Sequence, residues 1–247
     1  MSSSSDLIEL LPEIQAITPE NTVAPTVPVD VFVQEAENLY HWSQDDHVAL
    51  EAAGLAPDLI TKLPVRAGAC REAQSLWIKE RNMRQAADKN WMEQAPAAFE
   101  LRDRLLHSFR YAFRNEAGLL GRVDEIAMGD TNADMVQDLN DLSALGKANL
   151  DLLTAIGVTE ADLDSAATLS DQMGDLLGAC NGERKMDSIA MLTRDKAFTY
   201  LKQAMDEIRE CGKYVFWRSP DRLDGYSSDY WRRKHAANEK TPAEAEA

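Results

Sequence analysis

Residues 64–96 read PVRAGACREAQSLWIKERNMRQAADKNWMEQAP. Within them Val65, Ala69, Ala73, Leu76, Trp77, Met83, Ala87 and Trp91 recur at three- and four-residue steps, the period of one face of an α-helix. Pro64 suits the first helical position, where its missing N–H is an orphan in any case. Gly68 weakens only the first turn. Nothing else interrupts the pattern before Pro96, so a helix of about 45 Å is expected at 1.5 Å per residue. A rod of that length needs partners along it.

The flanking sequence supplies them. Asp30 is an expected N-cap, followed by a stripe of Val31, Phe32, Val33, Leu39, Tyr40 and Trp42 that ends at Gly54. Pro96 is expected to open a second helix with Phe99, Leu101, Leu105, Leu106, Phe109, Ala112 and Phe113 inside. Thr131 or Asn132 caps a third, lined by Met135, Val136, Leu139, Leu142 and Leu145. Thr159-Glu-Ala-Asp162 resembles a capping box and precedes Leu163, Ala166, Met173, Leu176 and Leu177. Asn181–Arg184 reads as a turn, and a last helix over 185–215 carries Ile189, Leu192, Ala197, Leu201, Met205 and Ile208 inside.

No run alternates polar and apolar as a half-buried strand does, and glycine (12) and proline (9) are scarce in 247 residues, which argues against a turn-rich β fold. Short connections place consecutive helices antiparallel. The expectation is therefore all-α, with no β-sheet: a single elongated antiparallel bundle of about five to six helices over 30–217. Residues 1–29 read as a Pro/Ser-rich N-terminal arm in which Pro12 interrupts any helix. An aromatic and basic C-terminal segment occupies 218–235, and a disordered polar tail 236–247.

The formal net charge is −16, unevenly spread. Residues 1–65 hold one Lys against eleven acids, 66–114 ten Lys/Arg against six, 115–188 four against fifteen, and 189–247 eleven against ten. Such a field disfavours nucleic acid as a partner. No apolar run reaches membrane-spanning length, and MSSSSDLIELL has no basic leader, so a cytoplasmic protein with no membrane association is expected. Three separated cysteines, Cys70, Cys180 and Cys211, form no metal or disulfide pattern.

Asp130 to Asp141 places oxygen side chains at positions 1, 3, 5, 9 and 12 of a calcium-loop frame. Met135 replaces the glycine that the frame's turn requires, and Asp141 replaces the bidentate Glu, so an acid-rich helix N-terminus is the expected reading. The four histidines (41, 47, 107, 235) lack a Glu three residues upstream and form no H-E-x-x-H. No nucleophile elbow, P-loop or dinucleotide fingerprint is present. No cofactor, metal site or catalytic residue is expected.

Two clusters remain. Residues 213–234 read KYVFWRSPDRLDGYSSDYWRRK. Tyr214, Phe216, Trp217, Arg218, Tyr226, Tyr230, Trp231, Arg232 and Arg233 are its candidate partner-binding residues, because aromatic rings and arginine dominate protein contact surfaces. The competing reading has the segment fold back and cap its own helices. Arg102, Arg104, Arg110 and Arg114, near Tyr111, form a candidate site for an anionic ligand. The expected function is that of a helical interaction or scaffold protein that contacts a protein partner or itself. The alternatives are a helical enzyme with a core site using His107 and buried carboxylates, and a nucleic-acid accessory protein using Tyr214–Lys234.

Overall fold

The structure, a computed structural model, describes residues 2–240. Their regular elements are a 3-10 turn at Pro19–Asn21 and eleven α-helices, with no strand: α1 (Ser3–Ala16), α2 (Val29–Gln44), α3 (His47–Ala52), α4 (Pro57–Thr61), α5 (Leu63–Ala112), α6 (Ala117–Ile126), α7 (Asn132–Ala148), α8 (Leu150–Thr154), α9 (Glu160–Val215), α10 (Pro220–Asp224) and α11 (Asp229–Lys240). The all-α reading holds. The count exceeds five or six because α3, α4, α8 and α10 are separate one- or two-turn pieces and because α1 and α11 are helices in the segments read as arm, C-terminal segment and tail.

Three expected breaks are absent. Pro96 lies inside α5, Pro12 lies inside α1, and 181–184 lies inside the 56-residue α9. A helical proline removes the hydrogen bond to the carbonyl four residues back and crowds it. Here those carbonyls belong to Met92 and Ile8, whose residues are 74% and 72% exposed. Both prolines are exposed too. Each defect therefore lies on an exposed face of its helix, where water rather than a packed side chain meets the freed carbonyl. Apolar burial holds the chain on either side: Ala95 and Ala98 are buried around Pro96, and Leu10 and Ile14 around Pro12. In α9, the expected turn is tied to α5 instead. Cys180 Sγ donates to the Ala87 carbonyl at 3.2 Å, and Arg184 pairs with Asp88 at 2.7 Å.

The described residues fall into two compact units, 2–79 with 188–240 and Glu80–Asp187. The first has its core among Phe32, Val33, Leu39, Leu50, Leu63, Phe198, Leu201, Met205, Ile208 and Tyr226. Leu7, Leu10 and Ile14 of α1 add a patch over Ala69, Ala73 and Ala197. The N-terminal arm is thus a helix packed on its own unit. The second unit is built around Phe109, Phe113, Met135, Leu139, Leu142, Leu163 and Met173. Gly54 and Gly157, at φ +99° and +87°, end helical stretches where the sequence places stops.

One part of the expected core is not core. Residues 74–94 include no buried residue, and Leu76, Met83, Ile189 and Leu192 are all exposed. Near Met83 the contact between α5 and α9 is made by polar side chains, with Arg84 bonded to Asp187 at 2.8 Å. Helical periodicity there reports the helix and not a buried stripe. Residues 236–240, read as disordered tail, continue α11, and 241–247 lie outside the described residues.

Replacing Pro96 with Ala restores a helix hydrogen bond on the solvent face without touching a packed side chain. Stability should rise by about 1–3 kcal/mol, read from the urea midpoint. An unchanged or lower midpoint would contradict this account of α5.

Candidate interaction surface

The C-terminal segment folds back onto α2, and two carboxylates hold it there. The first is Asp46, just past the end of α2. Tyr226, fully buried, donates its hydroxyl to Asp46 Oδ2 at 2.6 Å. Arg222 Nε donates to the same oxygen at 3.1 Å, and Arg222 Nη2 donates to the Trp42 carbonyl at 3.1 Å. The guanidinium lies 4.2 Å over the Trp42 ring, and Trp42 Nε1 donates back to the Arg222 carbonyl at 3.2 Å. Burial, followed by the bond to Asp46, pushes the Tyr226 phenol well above its ordinary range.

Backbone without side chains makes room for both rings. A Cβ on Gly212 of α9 would stand 2.1 Å from the Tyr226 ring, and one on Gly225 would stand 2.1 Å from the Trp42 indole. Phe216 stacks on Tyr226 with centroids 5.7 Å apart and planes 9° apart.

The second carboxylate is the buried Glu35 of α2. It accepts from Arg209 Nη2 at 2.7 Å, from Ser228 Oγ at 3.0 Å and from the Tyr230 backbone N–H at 2.8 Å. The last bond sets a negative charge on the first turn of α11, where the helix dipole favours it.

The nine candidate residues therefore divide. Tyr226 is core, while Phe216 and Tyr230 are partly buried against it. Tyr214, Trp217 and Trp231 are 73%, 65% and 37% exposed. Arg218 lies 4.2 Å over Trp217, and Lys234 lies 4.9 Å from the Trp231 ring. Arg232 bridges Asp224 and Asp229, and Arg233 reaches Asp229 only at 3.9 Å. A cleft of about 730 Å³ lies between α2 and α11, lined by Val31, Gln34 and Asn38 on one wall and Tyr230, Arg233 and Lys234 on the other.

The four arginines of the second cluster do not converge on one site, and three of them engage separate partners. Arg102 bonds Asp138 at 2.6 Å with both side chains largely buried, and Arg110 reaches Asp124 at 3.4 Å. Arg114 donates to the Tyr111 carbonyl at 2.8 Å and stacks on that ring, while Arg104 lines a smaller cleft with Ser108 and Asp162. Burial raises the Asp138 carboxyl despite Arg102. His107 is exposed, not set in a core.

The calcium-loop frame is a helix cap. Thr131 and Asp134 exchange side-chain and backbone bonds at 2.9 and 3.1 Å, and those bonds lower the Asp134 carboxyl. Thr159 and Asp162 repeat the arrangement at the start of α9, with the Asp162 carboxyl also lowered. All three cysteines are free thiols, and burial pushes Cys70 up to about 12. Among the described residues no helix is long and apolar enough to cross a membrane.

Sequence reading missed Glu35, Asp46 and Arg209, and it placed Trp42 in the apolar stripe without its contact to Arg222. Glu35 carried a signal: it stands three residues after Phe32 and four before Leu39, a charge on an apolar stripe. No family model, curated protein or solved structure matches this chain.

A phenol whose folded pKa is raised stabilises the fold below its unfolded pKa of about 10, and that contribution is lost as pH rises through the folded value. Wild-type stability should therefore drop above about pH 10, while Tyr226→Phe should start about 1.5–3 kcal/mol lower at neutral pH, having lost a bond to a charged acceptor, and show a shallower drop. Urea unfolding at pH 7, 9 and about 10.5 checks both; parallel pH curves for the two proteins would contradict the assignment. Gly212→Ala should lower stability by about 1–3 kcal/mol by forcing the Tyr226 ring out.

Proposed function

We propose that this chain is a helical interaction protein whose C-terminal segment is a docking surface for a protein partner or a second copy of itself. The observation that carries the reading is the division within the segment. Phe216, Tyr226, Arg222 and the start of α11 are anchored by core packing and by Asp46 and Glu35, while Tyr214 and Trp217 stand 73% and 65% in water on the same anchored backbone. Large rings in water are a cost unless something covers them, and rings held in place before contact lose little entropy on binding.

Three free thiols accord with a reducing compartment, and we place the protein in the cytoplasm. The net charge of −16 weighs against a polyanion as the usual partner.

The test is a Tyr214→Ala, Trp217→Ala double variant. Both positions are exposed, so the circular dichroism and melting temperature should stay at wild-type values. Self-association by sedimentation velocity, or retention of a partner from extracts of the source cells, should weaken by about 100-fold or more, since truncating a hot-spot aromatic costs about 2 kcal/mol or more. A wild-type protein that stays monomeric at high concentration and retains nothing would overturn the reading, as would a double variant that associates as well as wild type.

A further inference from the structure

We infer that the cavity among α2, α3 and α4 binds a guanidinium group, carried by an arginine side chain of a peptide or by a small free guanidine, which donates to Glu51 and His47 and stacks on Tyr40. The cavity holds about 310 Å³, the lower end of the range for small-ligand sites. Its apolar lining is Pro57, the buried Ile60 and the half-buried Tyr40 ring. None of its lining residues belongs to the aromatic surface proposed above, so the two readings stand or fall separately.

The polar lining is made of acceptors. His47 Nδ1 lies 2.8 Å from the Gln44 carbonyl. A carbonyl only accepts, so Nδ1 carries the proton and Nε2 of the neutral ring keeps a lone pair. Glu51 stands one turn beyond His47 on the same face of α3, and its side chain has no ion pair among the described residues. Thr61 Oγ1 donates its proton to the Pro57 carbonyl at 3.3 Å and is left as an acceptor. Such a lining selects a group that only donates.

Charge selects a cation. Residues 29–61, which build all three walls, hold seven acids and neither Lys nor Arg. Four of the seven are neutralised: Glu35 by Arg209, Glu37 by Arg71, Asp46 by Arg222 and Asp58 by Lys62. Of Asp30, Asp45 and Glu51, which remain, only Glu51 lines the cavity. The nearest basic residue along the chain beyond Lys62 is Arg66, which lies 4.2 Å over the Tyr200 ring.

A guanidinium suits this site better than an ammonium, because it is flat, stacks on a ring and pairs with a carboxylate through two N–H groups. The chain twice fills the same combination of ring and carboxylate with its own arginine. Arg222 lies 4.2 Å over Trp42 and donates to Asp46 at 3.1 Å, and Arg194 lies 4.1 Å over Trp77 and donates to Asp195 at 2.8 Å. At Tyr40 and Glu51 no side chain of the described residues fills that place.

The experiment follows the imidazole NMR signals of the full-length protein, with those of His47 assigned by their loss in His47→Gln. Butylguanidinium should shift the His47 signals saturably, and butylurea, its neutral counterpart of the same shape, should bind about tenfold or more weakly. Butylammonium should also bind more weakly than butylguanidinium. Glu51→Gln, at an exposed position, should weaken butylguanidinium about tenfold or more. Asp45→Asn makes the same change of charge off the lining and should bind within about twofold of wild type. No shift at millimolar butylguanidinium, equal binding of butylurea, or tighter binding of butylammonium would overturn the inference. An equal loss in Asp45→Asn and Glu51→Gln would overturn it in favour of diffuse attraction to an acidic surface. The capped tripeptide acetyl-Gly-Arg-Gly-amide separates the two sources. Tighter binding of the tripeptide than of butylguanidinium supports a peptide arginine as the occupant, and binding no tighter supports a free guanidine.

Discussion

A carboxylate taken out of water must find charged or hydrogen-bonding partners, and this requirement organises the C-terminal part of the first unit. The side chains of Glu35 and Asp46 retain only 9% and 11% of their exposure. Their partners come from α9 and from the segment after it. Satisfying both carboxylates therefore draws residues 222–230 onto α2 and fixes their register. That register decides which rings enter the core and which stay outside. A buried ion pair adds little net stability, because desolvation offsets attraction, but removing one member costs about 3–5 kcal/mol. The two carboxylates act here as selectors of one arrangement, and the exposed aromatic rings are a consequence of that arrangement.

The fold was legible where apolar spacing coincides with burial. Phe109, Met135, Leu139, Leu163 and Leu201 were read as inward-facing and are buried. The caps at Thr131 and Thr159 were legible because a threonine three residues before an acid has a defined local partner. The breaks expected at prolines were not legible, because what a proline costs depends on where its freed carbonyl points. Pro12 and Pro96 both sit opposite exposed residues four positions back, a fact that appears only once tertiary burial is known. Leu76, Met83, Ile189 and Leu192 err the other way. Their spacing is helical but they are exposed, and near Met83 the α5–α9 contact is made by Arg84, Asp88, Arg184 and Asp187.

The candidate surface was half legible. Its composition stands out in the sequence, and the exposed members, Tyr214, Trp217 and Trp231, belong to the expected set. What composition could not provide was the pairing. Tyr226 meets Asp46 across 180 residues, and Tyr230 meets Glu35 across 195. The two opposed readings of the segment, a packed cap and an open patch, each describe part of it. The buried half anchors the exposed half. The arginines at 102, 104, 110 and 114 carry a different lesson: like charges close in sequence were dispersed by individual local partners, Asp138 and Asp124 among them.

The most direct measure of the central claim, that Glu35 and Asp46 hold the segment rigid, is native-state hydrogen exchange at the Tyr230 amide, which donates to Glu35. Exchange as slow as that of the α2 amides, accelerating toward the open-chain rate in a Glu35→Gln, Asp46→Asn variant that keeps the rest of its helices, is the result the structure requires. Exchange at the open-chain rate in the unaltered protein would mean that the segment is not anchored and that its exposed rings are not held ready for a partner.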